Sequence, residues 1–126
     1  MKRAIGNANS AAKRYQDRAR SLGCVACRLR KNQHQGGVTE IHHRTIGDMH
    51  GAPQLGHLHV VALCSWHHRG ITYPGYSGMD MRRVFGPSFA SYKREFMEWL
   101  QDKLGERSTR ALQAYQDTLE PPRLSA

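Results

Sequence analysis

Two short elements of the sequence have the spacing of zinc ligands. Cys24 and Cys27 are separated by two residues, and Cys64 and His67 repeat that spacing later in the chain. Two intervening residues let both side chains of a pair face one ion, and three thiolates with one imidazole suit the tetrahedral coordination of Zn²⁺. We therefore predict one structural zinc site that uses all three cysteines of the chain. The alternative is that the cysteines are ordinary buried apolar residues.

Further histidines lie between and beside these pairs. His42 and His43 are adjacent, so on a strand their side chains point to opposite sides. His68 directly follows a zinc ligand, and on a helix it would point toward a different site. Hydrolysis of a phosphodiester needs a base that deprotonates water and a cation that stabilises the developing charge. We expect His43 to be the base and His42 and His68 to hold a catalytic divalent ion.

The remaining histidines and one carboxylate have less definite places. His34 and His50 are expected to be loop histidines without a ligand role. His57 shares a face with His59 if both lie on an alternating strand, so either a metal-binding or a purely structural role remains open for His57. Asp48 is the only carboxylate in the loop between the two predicted strands. It is a candidate third ligand, or alternatively part of an Asx turn.

The composition indicates one small domain without a disulfide framework. The chain has 126 residues, of which 39% are hydrophobic, so its core is modest and a bound metal would help to hold it. Three cysteines cannot pair completely, which favours a reducing compartment. No apolar run follows the basic N-terminus, so we expect no signal peptide, no membrane span and a cytoplasmic location.

The chain is strongly basic. Its formal net charge is +9 and its isoelectric point is about 10.0, which favours a polyanionic partner, with DNA first among them. The alternative is a solvated basic face that serves only solubility. No base-reading motif is visible, so we expect electrostatic binding with weak sequence specificity. For Arg69, beside His68, a solvated helix end is the alternative to a phosphate contact. The candidate nucleic-acid-binding residues are Arg14, Arg18, Arg69, Arg82 and Arg83.

The pattern along the first half of the chain predicts helix, strand, loop, strand and helix. Asn9 or Ser10 can cap a basic, mostly exposed helix over residues 11–22, which would serve as a docking arm. Residues 24–37 are expected to form a turn and a flexible loop. The β-branched content predicts strands over residues 39–43 and 57–63, and a short helix starts at Cys64. The core is therefore a ββα unit.

The second half is predicted to be helical. Residues 80–85 could form one helical turn, and Gly105 ends a longer helix that starts after Gly86-Pro87. A last helix stops at Pro121. The result is an α+β fold, with a small ββα-metal core and zinc knuckle flanked by N-terminal and C-terminal helices. Its parts are a basic N-terminal helix or arm (1–22), a zinc-stabilised core (23–86), a C-terminal helical extension (87–120) and a tail (121–126).

Residues 40–43 and 59–68 together resemble the HNH endonucleases of the ββα-metal class. The resemblance implies a treble-clef-like core in which His42 is a metal ligand, His43 the general base and His68 a second metal ligand. The central asparagine of that family falls at His59 here. His59 would either keep its orienting role through a ring N–H or become a further ligand. The second zinc pair of the family is usually two cysteines, and His67 replaces one of them.

Residues 23–27, 56–61 and 64–70 resemble more closely the phage recombination-enhancement nucleases that act with RecA filaments. This resemblance covers roughly residues 23–86. It implies a phage-encoded or prophage-encoded DNA endonuclease in a bacterial cytoplasm, with a structural Zn²⁺ and a catalytic Mg²⁺, Mn²⁺ or Zn²⁺. It also implies a RecA filament as partner, because those relatives cut DNA where a RecA-bound strand has paired.

Two other functions remain open at the level of sequence. The first is a zinc-stabilised nucleic-acid-binding module without catalysis, and the second is a zinc adaptor for an acidic protein partner. A pure binding module would not need the pair His43 and His68. That pair therefore favours the endonuclease.

Overall fold

A two-stranded antiparallel sheet lies at the centre of the computed structural model, which describes residues 6–31 and 38–121. Strand β1 (Thr39–His43) pairs with β2 (Val60–Cys64) in a register that places Thr39 opposite Cys64. All five residues of β2 are buried, whereas β1 is half-buried. The bounds predicted for the first strand are confirmed.

The second strand starts later than predicted. The backbone N–H of His59 donates to the carbonyl oxygen of Gly56 across 3.1 Å, and this bond closes a turn before β2. Residues 57–59 belong to this turn and not to the strand predicted over residues 57–63. His57 and His59 consequently do not alternate along a strand, and the shared face expected for them is absent.

The N-terminal helix is part of the packed fold. Helix α1 (Ser10–Ser21) starts at Asn9, whose side-chain oxygen accepts the N–H of Ala12 at 2.9 Å. One face, which carries Ala12, Gln16 and Ala19, is buried, and the helix contacts both strands. The expected helix therefore forms and most of its residues are exposed, as predicted, while its buried face packs on the sheet.

A short helix occupies part of the segment predicted as turn and loop. Helix α2 (Val25–Arg30) starts at Cys24, whose sulfur accepts the N–H of Cys27 at 3.4 Å. It ends at Lys31, which has a left-handed backbone conformation (φ 60°). Cysteine is not a usual helix cap, so the sequence contains no start signal for α2. His34 lies outside the described residues.

Helix α3 (Ser65–Arg69) follows β2 directly, which gives the predicted order of strand, strand and helix. Three more helices complete the described chain: α4 (Gly78–Phe85), α5 (Lys93–Leu104) and α6 (Thr109–Thr118). Helix α5 starts later than predicted, because residues 89–92 form a turn, and Gly105 ends it as expected. The fold is thus a small α+β structure. None of the helices described is long and apolar enough to cross a membrane.

The core joins β2 to the helices. Trp66 of α3, Phe96 and Leu100 of α5 and Leu112 of α6 are all fully buried. They belong to one apolar cluster that also contains Cys24, Cys27 and Cys64. The apolar face of α5 is therefore part of the core, and it belongs to the same cluster as the cysteines.

Candidate functional site

Four side chains from two helix starts meet in one buried cluster. They are Cys24, Cys27, Cys64 and His67, and their ligand atoms all lie within 4.8 Å of one another. Nδ1 of His67 is 3.5, 3.4 and 3.2 Å from the sulfurs of Cys24, Cys27 and Cys64, and the sulfurs of Cys27 and Cys64 are 4.0 Å apart. A tetrahedron with metal bonds of about 2.0–2.3 Å has edges of roughly 3.5–3.8 Å. The cluster therefore has the size of a metal site and could bind a metal such as zinc.

The local backbone shapes both halves of this cluster in the same way. Cys24 caps α2 and Cys64 caps α3, and each sulfur accepts the backbone N–H three residues later, at 3.4 and 3.5 Å. Nε2 of His67 donates to the carbonyl oxygen of Phe85 at 2.8 Å, which leaves Nδ1 as the nitrogen directed at the sulfurs. The repeated spacing in the sequence therefore reflects two equivalent knuckles.

Electrostatics in the cluster favour a cation. Burial opposes a charge on His67, but the neighbouring Cys27 and Cys64 outweigh it and raise the pKa of His67 to about 9. Hydrogen bonds from Cys24 and Cys27 hold the pKa of Cys64 far below its usual range. Burial raises the pKa of Cys24. The lowered pKa favours a thiolate at Cys64, and a buried thiolate needs a compensating positive charge, which a bound metal ion could supply.

A second group of polar side chains lines an open cavity of about 500 Å³ beside β1 and α3. The rings of His42 and His68 are 5.2 Å apart between centroids, and His42 also packs on Phe89 at 4.8 Å. His50 and Lys93 lie on the wall of the same cavity. The structure therefore brings together the two predicted metal ligands. His50 lies in a turn, as expected for a loop histidine.

Glu40 supports this cavity and was missed at the level of sequence. Its carboxylate accepts Nδ1–H of His68 at 2.8 Å and two N–H groups of Arg69 at 2.9 and 2.6 Å. The hydrogen bond from Arg69, together with that from His68, lowers the pKa of Glu40. Glu40 is two residues before His42 on β1, so both side chains lie on the same face of the strand. That spacing was the available signal.

His43 lies away from this cavity. Its Nε2 is 3.2 Å from Nδ1 of His57, and the two ring centroids are 5.2 Å apart. Adjacent residues of β1 therefore face different neighbours, as expected for a strand. Burial, and then the neighbouring His57, Arg20 and His68, lower the pKa of His43. The lowered pKa favours the neutral ring, which is the form that can accept a proton.

Two other candidates have definite surroundings. Asp48 is buried and accepts hydrogen bonds from the backbone N–H of Thr109, at 3.0 Å, and from the Thr109 hydroxyl. Both carboxylate oxygens of Asp48 thus bind the start of α6. His59 is exposed in the turn before β2, and within the described residues no group hydrogen-bonds its ring.

The five candidate DNA-binding arginines differ in their partners. Arg69, Arg82 and Arg83 form ion pairs with Glu40, Glu95 and Asp80. Arg18 donates to the carbonyl oxygen of Leu119 at 2.6 Å. Arg14 is exposed on α1 and has no hydrogen bond or ion pair within the part of the chain described. Among the described residues neither Arg14 nor Arg18 has a carboxylate partner, and Arg14, which makes no hydrogen bond there either, is the candidate most available to a phosphate.

Comparison with known proteins identifies one family. The family model described as "Recombination enhancement, RecA-dependent nuclease" matches residues 8–113, which is most of the chain. No curated protein and no solved structure matches.

Proposed function

The chain belongs to the recombination enhancement, RecA-dependent nuclease family, and on that premise we propose that it is a metal-dependent DNA endonuclease of the HNH, ββα-metal class. It would hydrolyse phosphodiester bonds in DNA that a RecA filament has paired. The observation that carries the proposal is the placement of His42 and His68 in one cavity, with His43 on the other side of the same strand. A protein that only binds DNA has no need of this arrangement.

In this proposal His42 and His68 hold the divalent ion, which is Mg²⁺, Mn²⁺ or Zn²⁺. Burial, followed by the neighbouring His68, lowers the pKa of His42 to about 4, so its ring is neutral and can ligate a metal. Glu40 accepts Nδ1–H of His68, which leaves Nε2 of His68 as the metal-binding nitrogen. When bound, the ion stabilises the charge on the phosphate and on the departing 3′ oxygen.

His43 is the general base of the proposed reaction. Its lowered pKa keeps the ring unprotonated at physiological pH, so it can take a proton from water as the water attacks the phosphorus. Because His43 and His42 project from opposite sides of β1, the attacking water would approach opposite the leaving oxygen. In this proposal His43 takes the proton on one face of β1, and the ion held by His42 stabilises the leaving oxygen on the other face.

The proposed function is tested by a cleavage assay with a RecA filament. We would incubate the protein, with its structural zinc, with supercoiled plasmid, RecA and a homologous oligonucleotide, across a panel of divalent ions. We expect strand cleavage within the paired region, and none with a non-homologous oligonucleotide. Binding to the paired DNA without cleavage under every ion would instead support the zinc-stabilised binding module.

DNA affinity is expected to depend steeply on salt, because the attraction comes from a basic surface with a net charge of +9. If the five candidate arginines each meet one phosphate, affinity should fall by several hundredfold, roughly, between 50 and 200 mM salt. Fluorescence anisotropy with two unrelated duplexes measures this, and the two should behave alike. Arg14→Ala should flatten the salt dependence more than Arg83→Ala, since Arg83 is already paired with Asp80. An affinity that barely changes with salt would contradict the electrostatic interpretation.

A further inference from the structure

The ring of His57 lies in a chain of hydrogen bonds that ends on the ring of His43. Nε2 of His57 is 2.6 Å from the carbonyl oxygen of Gly6, and Nδ1 of His57 is 3.2 Å from Nε2 of His43. A carbonyl oxygen can only accept, so Nε2 of His57 carries a proton and donates it. Nδ1 of a singly protonated His57 is then a hydrogen-bond acceptor, and Nε2–H of His43 donates to it.

This series of hydrogen bonds leaves Nδ1 of His43 as the nitrogen with a free lone pair. Within the described residues no group hydrogen-bonds that atom. The direction of these hydrogen bonds thus selects one of the two neutral tautomers of His43, and the bonds also fix the plane of the ring. A general base needs both, because only a lone pair that points at the water can take its proton.

The same contacts argue against a metal-binding role for His57. A ligating imidazole needs an unprotonated nitrogen that faces the ion. One nitrogen of His57 donates to Gly6 and the other accepts from His43, so neither is available. The alternative left open by the sequence is therefore replaced by a role that acts through His43.

The backbone of His57 is held from outside the turn. The side-chain amide of Gln16, which is buried on α1, donates to the carbonyl oxygen of His57 at 2.9 Å. The hydrogen bond from His59 to Gly56 closes the turn itself. Helix α1 and the residue Gly6 before it therefore hold both the backbone and the ring of His57. This is a reason for α1 to pack on the sheet.

We propose that His57 is a positioning residue for the general base, and this inference rests on the proposed function. It accepts Nε2–H of His43, holds that ring with Nδ1 unprotonated, and is itself oriented by the carbonyl oxygen of Gly6. His57 touches neither the substrate nor the metal in this role. Loss of the acceptor should reduce the rate of cleavage without changing the affinity for DNA.

Two substitutions separate the acceptor from the rest of the side chain. His57→Ala removes the acceptor, and we expect the rate constant for cleavage to fall by about 10- to 100-fold, as for other residues that orient a catalytic side chain. In His57→Asn the amide oxygen stands near the position of Nδ1 and can accept from His43, so most of the rate should return. Leu58→Ala, in the same turn and exposed, is the matched control and should cleave like the parent protein.

Nuclear magnetic resonance of the ring nitrogens of the full, zinc-loaded chain tests the hydrogen bond without any need for cleavage. We expect His57 and His43 both to be protonated at Nε2 only, with a slowly exchanging Nε2 proton on His43. That proton should exchange rapidly in His57→Ala and remain protected in His57→Asn.

The two measurements distinguish failure of this inference from failure of the proposed function. Three results would overturn the positioning role. They are a protonated Nδ1 on His57, a change in the ring-nitrogen chemical shifts of both His57 and His43 on addition of a divalent ion, and full cleavage by His57→Ala. A parent protein that shows the expected ring pattern but never cleaves DNA would reject the nuclease proposal, while the hydrogen-bond chain would stand.

Discussion

Replacing His43 by alanine is expected to abolish DNA cleavage and to leave folding, zinc content and DNA affinity nearly unchanged. The substitution removes the group that takes the proton from water, and general bases of this kind contribute about 10²- to 10⁴-fold to the rate. His43 is a half-buried residue at the end of β1 and is not part of the apolar core. The rate of plasmid cleavage in the RecA assay is the measurement, with melting temperature and bound zinc recorded for the same samples.

His68→Ala provides the contrast that gives this prediction its mechanistic content. It should also abolish cleavage, but by weakening the binding of the divalent ion. Raising the concentration of that ion should therefore restore part of the activity of His68→Ala and none of the activity of His43→Ala. Undiminished cleavage by His43→Ala would reject the proposed mechanism and move the base to another histidine. Equal rescue of both variants by metal would place His43 among the ligands.

The parts of the site that the sequence predicts are those fixed by local geometry. Spacing within each of two short segments indicated the cluster of Cys24, Cys27, Cys64 and His67, because a knuckle is built by a few consecutive residues. Alternation along a strand predicted that His42 and His43 face different neighbours. The same alternation would have shown that Glu40 faces the side of His42, but its contact with His68 depends on where α3 lies.

The parts that the sequence does not predict depend on contacts between distant segments. Asp48 binds Thr109, 61 residues away, and Arg44 donates to Thr109 and to Gln113. These hydrogen bonds fix the loop between the strands against α6, and no local pattern in the sequence predicts them. The contact of His57 with Gly6 and that of its carbonyl oxygen with Gln16 are of the same kind. Because the sequence does not show these contacts, its periodicity favoured a strand that included His57, whereas the structure has a turn there.

If the cluster of Cys24, Cys27, Cys64 and His67 holds a zinc ion, removal of that ion is expected to unfold the protein. Cysteine and histidine sites of this type contribute about 10–16 kcal/mol to folded zinc peptides, whereas a small domain is stable by only about 5–15 kcal/mol in total. The four ligands belong to the same apolar cluster as Trp66 and Phe96 or lie beside it, so their separation would open the core. We therefore expect one zinc per chain by elemental analysis, and loss of the cooperative melt with a chelator or in Cys27→Ser.

The choice of substitution separates a ligand from a merely buried cysteine. If Cys27 is only an apolar core residue, Cys27→Ala should cost about 1 kcal/mol, and the melt should be insensitive to chelators. If Cys27 is a ligand, alanine and serine should be equally damaging, since both remove the thiolate. Met79→Ser, on the exposed surface of α4, controls for the introduction of a hydroxyl group. A chelator-insensitive cooperative melt of zinc-free protein would reject the metal site. The nuclease would then have to hold β1 and α3 together, with His42 against His68, by packing alone.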